Sequence, residues 1–283
     1  MDLSIIIVNY KTSGPLKDCL ASIYRTLDGL KFEVLVIDNH SRDKGLAALE
    51  KLFPQVRFIK NPCNEGFAKA NNRAAELSKG TTLLFLNPDT RLTEGAVASM
   101  HTHLLATPKI GVLGPKVLNP DGSLQYSCRS FPTLWTGLFN RYSLLSRLFP
   151  NNQFTRRYLM TDFDHKETRQ VDWVSGCCLM MRSPTFKSVG GFDEHYFLFN
   201  EDVDLCRTLK DHNYKVVYFP DARVFHDITS SNRKVPFRII LKRHRGMSYY
   251  FKKHHGGNPV FQTLVHTMVA ARRFSHLLIN MFR

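Results

Sequence analysis

The first half of the chain alternates short apolar runs with stretches of helical spacing, and this alternation constrains the fold most strongly. Four strands are predicted, at residues 3–8, 32–37, 56–59 and 83–86. Helical patterns lie between them, at residues 15–27, 44–52 and 67–78. Strands that alternate with helices build βαβ units, so we expect an α/β fold with a mostly parallel central sheet and helices on both faces. Right-handed crossovers then bring the strand ends to one edge.

The pattern is less regular beyond residue 104. Strands are predicted at residues 110–118, 171–182 and 215–219, and helices from Pro184 and over residues 202–211. Residues 131–169 show no clear period and are interpreted as a variable insertion. The last fifty residues predict two helices, at 237–253 and 260–282, separated by a break rich in glycine.

The positive charge of the chain is concentrated at its end. The 283 residues carry a net charge of +15, and eleven Lys and Arg but no Asp or Glu follow residue 227. In the last predicted helix, one face is apolar: Leu264, Met268, Ala271, Leu278 and Phe282. The opposite face is polar: His266, Arg273, His276 and Asn280. A basic amphipathic helix can lie in a membrane interface or pack on its own domain or a partner chain. The lack of acidic residues favours the membrane surface.

The cysteines and the N-terminus bear on the compartment. Six cysteines are present and none forms a CxxC pair, which argues against a zinc ribbon and a disulfide framework. Reduced, mostly buried thiols in a cytosolic protein are expected. The chain begins without a basic leader, and no run approaches the ~20 apolar residues of a membrane-spanning helix. We therefore expect a cytoplasmic protein.

Polar residues follow each of the four strands predicted in the first half. They are Asn9-Tyr10, Asp38-Asn39, the segment 61–67 and Asn87-Pro88-Asp89. Any one of them could be a helix cap or a turn. Four at one edge favour a binding site, because ligands of open α/β sheets bind at the carboxyl ends of strands. The glycine signatures of P-loop and dinucleotide-binding proteins do not occur in the sequence.

Two further groups of residues suggest chemistry. Three acids, Glu201, Asp202 and Asp204, open a predicted helix after an aromatic stretch. Acids in a first helical turn interact favourably with the helix dipole, but a carboxylate on a water-poor wall also suits a general base. His226 is the other candidate. A single histidine is more often structural than a ligand, yet with Asp89 it could form a site for Mg²⁺ or Mn²⁺.

The ordered motifs resemble glycosyltransferase family 2, and specifically the rhamnosyltransferase-like branch of bacterial polysaccharide enzymes. The resemblance covers about residues 3–226. It is carried by the sequences SIIIVNY from Ser4, VIDNHS from Val36, NEGFAKAN from Asn64, LNPDT from Leu86, VSGCCLMMR from Val174, GGFDE from Gly190 and EDVDLCR from Glu201.

The resemblance implies a GT-A fold and an inverting transfer from a nucleotide-sugar. Residues 1–227 would form the catalytic domain, with the nucleotide-sugar half at 1–105 and the acceptor half at 106–227, and residues 228–283 a basic helical tail. Eight residues would bind the nucleotide-sugar: Asn9, Tyr10, Asp38, Asn64, Gly66, Asn71, Asn87 and Asp89. Asp202 and Glu201 would be the catalytic residues. Asp89 and His226 would bind the metal ion, and Trp173 and Asp204 would bind the acceptor.

One departure from the family pattern concerns the metal ion. Asn87 stands where the first Asp of the DXD motif is usual, and an amide oxygen binds a hard cation more weakly than a carboxylate. The expected cofactor is still Mg²⁺ or Mn²⁺. The expected donor is dTDP-rhamnose or another activated hexose. The expected acceptor is a glycan on a lipid carrier at the inner face of the membrane, and nucleic acid is not an expected partner.

Two other functions fit parts of the sequence. A pI near 9.7 and the cluster Tyr249-Tyr250-Phe251-Lys252-Lys253 would suit a nucleic-acid-binding protein. That reading leaves the polar strand ends unexplained. A sugar-nucleotidyltransferase would share the sheet and the metal, but it usually carries a glycine-rich basic loop after the first strand, which Asn9-Tyr10-Lys11-Thr12-Ser13 does not resemble.

Overall fold

The computed structural model describes residues 1–139, 148–149, 152–227, 236–256 and 258–281, and it has the predicted α/β architecture. Its strands are β1 (Leu3–Asn9), β2 (Phe32–Asp38), β3 (Arg57–Lys60), β4 (Thr82–Leu86), β5 (Thr90–Leu92), β6 (Ile110–Leu118), β7 (Leu124–Gln125), β8 (Cys128–Arg129), β9 (Arg169–Gln170), β10 (Trp173–Val174), β11 (Cys178–Arg182) and β12 (Lys215–His226). The helices of the described residues include α1 (Ser13–Thr26), α2 (Leu46–Leu52), α3 (Phe67–Leu77), α4 (Ala96–Ala106), α5 (Leu134–Leu138), α6 (Gln153–Leu159), α7 (Ser183–Ser188), α8 (Glu201–Asp211), α9 (Phe237–His255) and α10 (Pro259–Met281).

One sheet joins the two predicted halves of residues 1–227, in the order β3-β2-β1-β4-β11-β6-β12-β5. The first four strands in this order are parallel, as predicted. β11 then enters antiparallel between β4 and β6, and β5 pairs antiparallel with β12. β6 and β12 pair in parallel, so four of the seven neighbouring pairs in this order are parallel, and the antiparallel pairs are those of β11 and β5.

Helices cover both faces of the sheet, as predicted. Side chains alternate along a strand, so Ile6 and Val8 face one layer and Ile5 and Ile7 the other. The first layer contains α3, α8 and residues of both C-terminal helices. The second contains α1, α2 and α4. Five of the six cysteines are buried and all six are free, which confirms the prediction of reduced, mostly buried thiols.

The pairing of β5 with β12 is not part of the sequence prediction. Neither β5 nor α4 is predicted, and β12 extends seven residues beyond the predicted end at Phe219, to His226. The antiparallel pairing of β5 with β12 places His226 opposite Thr90, and the Asp227 N–H donates to the Asp89 carbonyl at 2.9 Å. This pairing brings together residues that lie far apart in the sequence.

The C-terminal helices pack into the main core. Tyr250 and Phe251 of α9 and Val265 of α10 are almost completely buried there. Met268 and His276, predicted on opposite faces of the last helix, are also buried, whereas Leu264 and Leu278 are exposed. Packing on the domain, the alternative weighed above, therefore accounts for one side of this helix. Phe282 and parts of the segments 131–169 and 228–283 lie outside the described residues.

Membrane spanning is not a property of any described helix. Across residues 1–139, 148–149, 152–227, 236–256 and 258–281, no helix combines the length and the apolar character needed to cross a bilayer.

Candidate active site

A cavity of about 460 Å³ opens at the carboxyl edge of the sheet. It lies where the polar strand ends meet, as predicted from the alternation of strands and helices. Eight of the predicted site residues line it: Tyr10, Asn64, Gly66, Asn87, Asp89, Glu201, Asp202 and His226. The volume lies in the range of small-molecule sites in proteins.

Three other predicted residues lie behind the cavity wall. The Asn9 side chain donates to the Asp38 carboxylate at 2.8 Å, and Ser41 donates to the same oxygen. Asn71 donates to the Phe67 carbonyl at 2.9 Å within α3. These side chains are nearly completely buried and hold the loops that carry the lining residues. Their direct contact with a nucleotide-sugar stays a prediction.

Asn39 is a lining residue to which the sequence analysis gives no role. Its amide nitrogen donates to Asn64 Oδ1 at 3.0 Å and to the Gly66 carbonyl at 2.9 Å. Its amide oxygen accepts from the Glu65 N–H at 3.0 Å. Asn39 therefore fixes the loop between β3 and α3 against the end of β2. Its position after Asp38 at a strand end was the available signal.

The segment before α8, which leads to the acids, packs closely against Gly66. The Phe197 carbonyl accepts the Phe67 N–H at 2.7 Å, and a Cβ on Gly66 would lie 2.5 Å from that carbonyl oxygen. Gly66 also has φ +90°, which disfavours other residues. Phe199 and Asn200 then adopt left-handed backbone conformations before α8 begins. Such strain is uncommon in residues other than glycine and is concentrated at functional sites.

Asp202 and Glu201 form a buried acidic pair at the start of α8. Burial raises the pKa of both carboxyls, and the charge of Asp202 raises that of Glu201 further. The Gly176 N–H donates to Asp202 Oδ2 at 2.9 Å, and Arg129 also favours its charged form. Glu201 Oε2 has no hydrogen-bond partner among the described residues. The pKa of Glu201 is therefore raised well above its ordinary value, whereas the N–H donors and Arg129 oppose the rise at Asp202.

Asp89 and His226 meet in the same cavity. Asp89 Oδ1 lies 3.2 Å from His226 Nε2. His226 Nδ1 contacts Gln125 Oε1 at 2.7 Å, and Gln125 Nε2 donates to Asn119 Oδ1 at 2.9 Å. Gln125 therefore presents its oxygen to Nδ1 of His226, which donates an N–H to it, and Nε2 faces Asp89. No pattern in the sequence pointed to Gln125, which lies in the short strand β7.

This arrangement fits a divalent cation. Asp89 Oδ1 is buried without a hydrogen-bond partner among the described residues and lies 3.2 Å from His226 Nε2. Carboxylate and imidazole ligands suit Mn²⁺, and a carboxylate with an amide oxygen suits Mg²⁺. No group of three or more His, Cys, Asp or Glu side chains with metal-site geometry occurs in the part of the chain that the structure describes. A cation would therefore need further oxygen ligands from a bound molecule.

A second cavity of about 230 Å³ adjoins the first. Asp202, Ser175 and Phe199 line both. Trp173, predicted to contact an acceptor, lines only the second, and its indole N–H donates to the Ser130 carbonyl at 2.9 Å. The C-terminal helices complete this second cavity with Arg243, His244, Met247, Tyr250 and Arg272.

Asp204 lines neither of these cavities, so the structure does not support its assignment to acceptor binding. Its carboxylate accepts from Lys253 Nζ at 2.8 Å and from Tyr196 Oη at 3.0 Å, and it contacts His254 Nε2 at 2.6 Å. It points away from Asp202 because each residue turns a helix by about 100°, which places residues two positions apart about 200° from each other. Asp204 instead fixes α9 to α8.

Comparison with known proteins agrees with the arrangement of the site. Residues 4–189 match the family described as Glycosyl transferase family 2. The N-acetylglucosaminyl-diphospho-decaprenol L-rhamnosyltransferase of Mycobacterium tuberculosis is 31% identical over 266 residues, which cover 90% of this chain and 85% of that protein.

Solved structures share the fold. A mannosyltransferase from Pyrobaculum calidifontis, solved with GDP-Man and Mn²⁺, matches 95% of this chain with a TM-score of 0.60 at 16% identity, over 73% of its own length. GalNAc-T7, solved with UDP, GalNAc and Mn²⁺, matches 94% of this chain with a TM-score of 0.61 at 14% identity. The match covers 55% of the GalNAc-T7 chain. The predicted GT-A fold is confirmed.

Proposed function

This chain belongs to glycosyltransferase family 2, and we propose that it transfers a rhamnosyl group from dTDP-rhamnose to a sugar on a diphosphate-linked lipid carrier. The family expected from the sequence motifs is confirmed, and the chain is an inverting glycosyltransferase of polysaccharide synthesis. The rhamnosyl donor and the lipid-linked acceptor are inferred from the M. tuberculosis relative, which is similar over most of both chains.

The position of Asp202 between two cavities is the observation that carries the proposal. The larger cavity is lined by Asp89, His226 and Asp202, and the smaller one shares Asp202 with it. A donor in the first cavity would have its diphosphate near Asp89 and its sugar toward Asp202. An acceptor in the second cavity would then place its hydroxyl beside the carboxylate, on the other face of the sugar.

The chemistry that follows needs one base. The acceptor hydroxyl oxygen forms a bond to the anomeric carbon of the donor sugar. The bond from that carbon to the diphosphate breaks, and the hydroxyl proton moves to Asp202. Attack opposite the leaving group inverts the anomeric centre. Burial and the charge of Asp202 raise the pKa of Glu201, which favours a single negative charge on the pair.

We assign the cation site to Asp89 and His226, with Asn87 beside them. A bound Mg²⁺ or Mn²⁺ would stabilise the negative charge that grows on the departing diphosphate. His226 is oriented for this role by Gln125, because its Nδ1 proton is engaged and its Nε2 faces the cavity. The proposal extends to this chain the Mn²⁺ found with two structures of the same fold.

A panel of nucleotide-sugars tests the donor. Each is added to the protein with and without Mn²⁺, and the shift in unfolding temperature is measured. A bound ligand raises the apparent stability by mass action, so dTDP-rhamnose should give the largest shift and Mn²⁺ should enlarge it. A larger shift with another nucleotide-sugar would reject rhamnose as the donor sugar while leaving the transferase class intact.

Membrane association is proposed through one face of α10. Five large apolar side chains of this helix are exposed, and they fall on one stripe at about 100° per residue: Val260, Leu264, Phe274, Leu278 and Met281. Trp135 of α5, which packs against α10, is 54% exposed. Tryptophan is enriched at membrane interfaces, and the eleven basic residues after position 227 suit anionic lipid. A lipid-linked acceptor would be reached from this surface.

Vesicle binding tests this face without changing the charge. Leu264→Gln with Leu278→Gln should weaken binding to anionic phosphatidylglycerol vesicles by about tenfold or more, because each leucine buries apolar surface in the lipid. His266→Gln, an exposed position off the stripe, is the control. Equal binding by the double variant and the control would reject this surface. Binding to neutral vesicles should be weaker in all three proteins.

A further inference from the structure

We propose that Arg129, Arg243 and Arg272 form a subsite for the diphosphate of the acceptor, in the second cavity. This inference rests on the proposed function, since it assumes a diphosphate-linked acceptor. It assigns to the C-terminal helices a role in recognising the substrate, in addition to their contact with lipid.

The charge of the cavity lining supports a doubly anionic ligand. The lining includes three guanidinium groups, and Asp202 is the only acid among the fifteen described lining residues. Asp202 is shared with the donor cavity, whereas Arg243 and Arg272 come from α9 and α10. Arginine binds phosphate oxygens through a planar fork of N–H donors, so three such groups suit a diphosphate.

Neighbouring side chains contact each of the three arginines, and for two of them the contact is an aromatic ring. The Arg129 guanidinium carbon lies 5.1 Å from the centroid of the Trp173 ring, and that of Arg243 lies 4.7 Å from the Phe199 ring. Arg272 Nη1 lies 3.6 Å from Met247 Sδ. Side chains that are already oriented lose less conformational entropy when a ligand binds.

His244 reports the positive field in this cavity. Burial, together with the charges of Arg272 and Arg243, lowers the pKa of its imidazole to about 4. Its Nδ1 donates to the Ile240 carbonyl at 2.7 Å, which leaves Nε2 as a neutral acceptor. His244 Nε2 and Tyr250 Oη are both buried without a hydrogen-bond partner among the described residues. Hydroxyl or amide groups of an acceptor sugar would satisfy them.

The size of the cavity restricts what it can hold. Its volume of about 230 Å³ is below the usual range for a whole drug-sized ligand. It therefore suits a headgroup, meaning one sugar and its phosphates, and not the lipid chain. The lipid would leave the cavity on the side of α10, whose exposed stripe is proposed above to face the membrane.

Kinetics with two acceptors test the subsite. One is an N-acetylglucosaminyl diphosphate with a short prenyl chain, and the other is a neutral alkyl N-acetylglucosaminide. Arg272→Gln should raise KM for the diphosphate acceptor by about 10- to 100-fold, because it removes charge-assisted hydrogen bonds. KM for the neutral acceptor and for the donor should change by less than about twofold. Arg272→Lys should restore part of the loss.

The matched control is Arg273→Gln, which removes the same charge one position away, at an exposed site. Equal KM values for Arg272→Gln and Arg273→Gln, or an equal loss on both acceptors, would overturn the subsite. If no acceptor receives rhamnose, the proposed function fails, and binding still decides the subsite. Titration with prenyl diphosphate at saturating dTDP should then give a Kd about tenfold or more higher for Arg272→Gln than for wild type, and equal Kd values would reject the proposal.

Discussion

The cavity of about 460 Å³ proposed for the donor, here the donor cavity, and the cavity of about 230 Å³ proposed for the acceptor, here the acceptor cavity, are built in different ways. The donor cavity lies at the ends of neighbouring strands of one sheet, and networks such as that of Asn39 tie its loops to the strands by hydrogen bonds. The acceptor cavity is assembled from three distant parts of the chain, the segment 129–175, the start of α8 and the two C-terminal helices, which meet by side-chain packing.

This difference separates the two sites energetically. The donor site should persist as long as the sheet does. The acceptor site depends on apolar contacts of α9 and α10, so loss of these contacts should affect acceptor binding before donor binding. Asp202 is the acid common to both, and a change there should affect transfer without removing either site.

The largest effect is expected at this common residue. Asp202→Asn should lower kcat by about 10²- to 10⁴-fold, because it removes the base but keeps an oxygen that can accept the Gly176 N–H. The thermal shift with dTDP-rhamnose should stay within experimental error of the wild type. Transfer at close to the wild-type rate would show that another group takes the proton.

The next effect concerns the stability of the acceptor wall. Phe251→Ala should lower the free energy of unfolding by about 3–5 kcal/mol, because Phe251 is completely buried in the core. Phe274→Ala is the matched control, since this ring is 63% exposed and its loss should cost about 0.5 kcal/mol or less. Urea denaturation measures both. Similar losses in the two variants would mean that the C-terminal helices are not part of the core.

The donor side can be tested through the orientation of His226. Gln125→Leu should weaken Mn²⁺ binding by about 10- to 100-fold, because the imidazole loses the acceptor that holds its proton on Nδ1. Gln125→Glu keeps an oxygen acceptor there and should retain the affinity. Calorimetric titration with Mn²⁺ in the presence of dTDP is the measurement, and unchanged affinity in the leucine variant would remove Gln125 from the cation site.

A smaller effect is expected from Glu201 on the pH dependence of stability. Its pKa is raised above 4.5 by burial and by the charge of Asp202. Between 4.5 and that raised value the folded protein binds more protons than the unfolded chain, so stability falls as the pH rises through this window. In Glu201→Gln the free energy of unfolding should fall less across this window, by about 1 kcal/mol or more.

Thermal unfolding of both proteins above about pH 5 checks this. Partial burial opposes ionisation of Asp193, but its hydrogen bonds with Lys253 and His195 lower its pKa overall. Asp193 therefore makes stability rise with pH, and it does so only below its ordinary pKa of 3.8. It therefore does not interfere in this range. Parallel slopes for wild type and variant would show that Glu201 is ionised in the folded protein.

Sequence reasoning located the donor side well because its signals are local. Asn64 and Asp89 follow apolar runs within a few positions, and both line the cavity as predicted. His226 lies seven residues beyond the predicted strand end, and its role was implied by the family resemblance. Sequence reasoning also assigned Asp204 to the acceptor, because the three acids at the start of α8 look alike in the sequence. Only the packing of α9 shows that Asp204 accepts from Lys253.

The acceptor wall could not be predicted in the same way. Arg129, Arg243 and Arg272 are separated by more than a hundred residues at the extremes, and no periodic pattern links them. An amphipathic pattern is the same whether a helix meets lipid or protein. Helix α10 has one apolar side buried in the core and another that is exposed. Gln125 was missed because a two-residue strand gives no signal in the sequence.

The division into two cavities is tested most directly by initial-rate kinetics with both substrates varied, on one tyrosine variant in each cavity. Tyr10 lines only the donor cavity and Tyr158 only the acceptor cavity. Tyr10→Ala should raise KM for the nucleotide-sugar alone, and Tyr158→Ala should raise KM for the acceptor alone. If each variant raises both KM values equally, the two cavities do not hold separate substrates and the account of Asp202 between them is wrong.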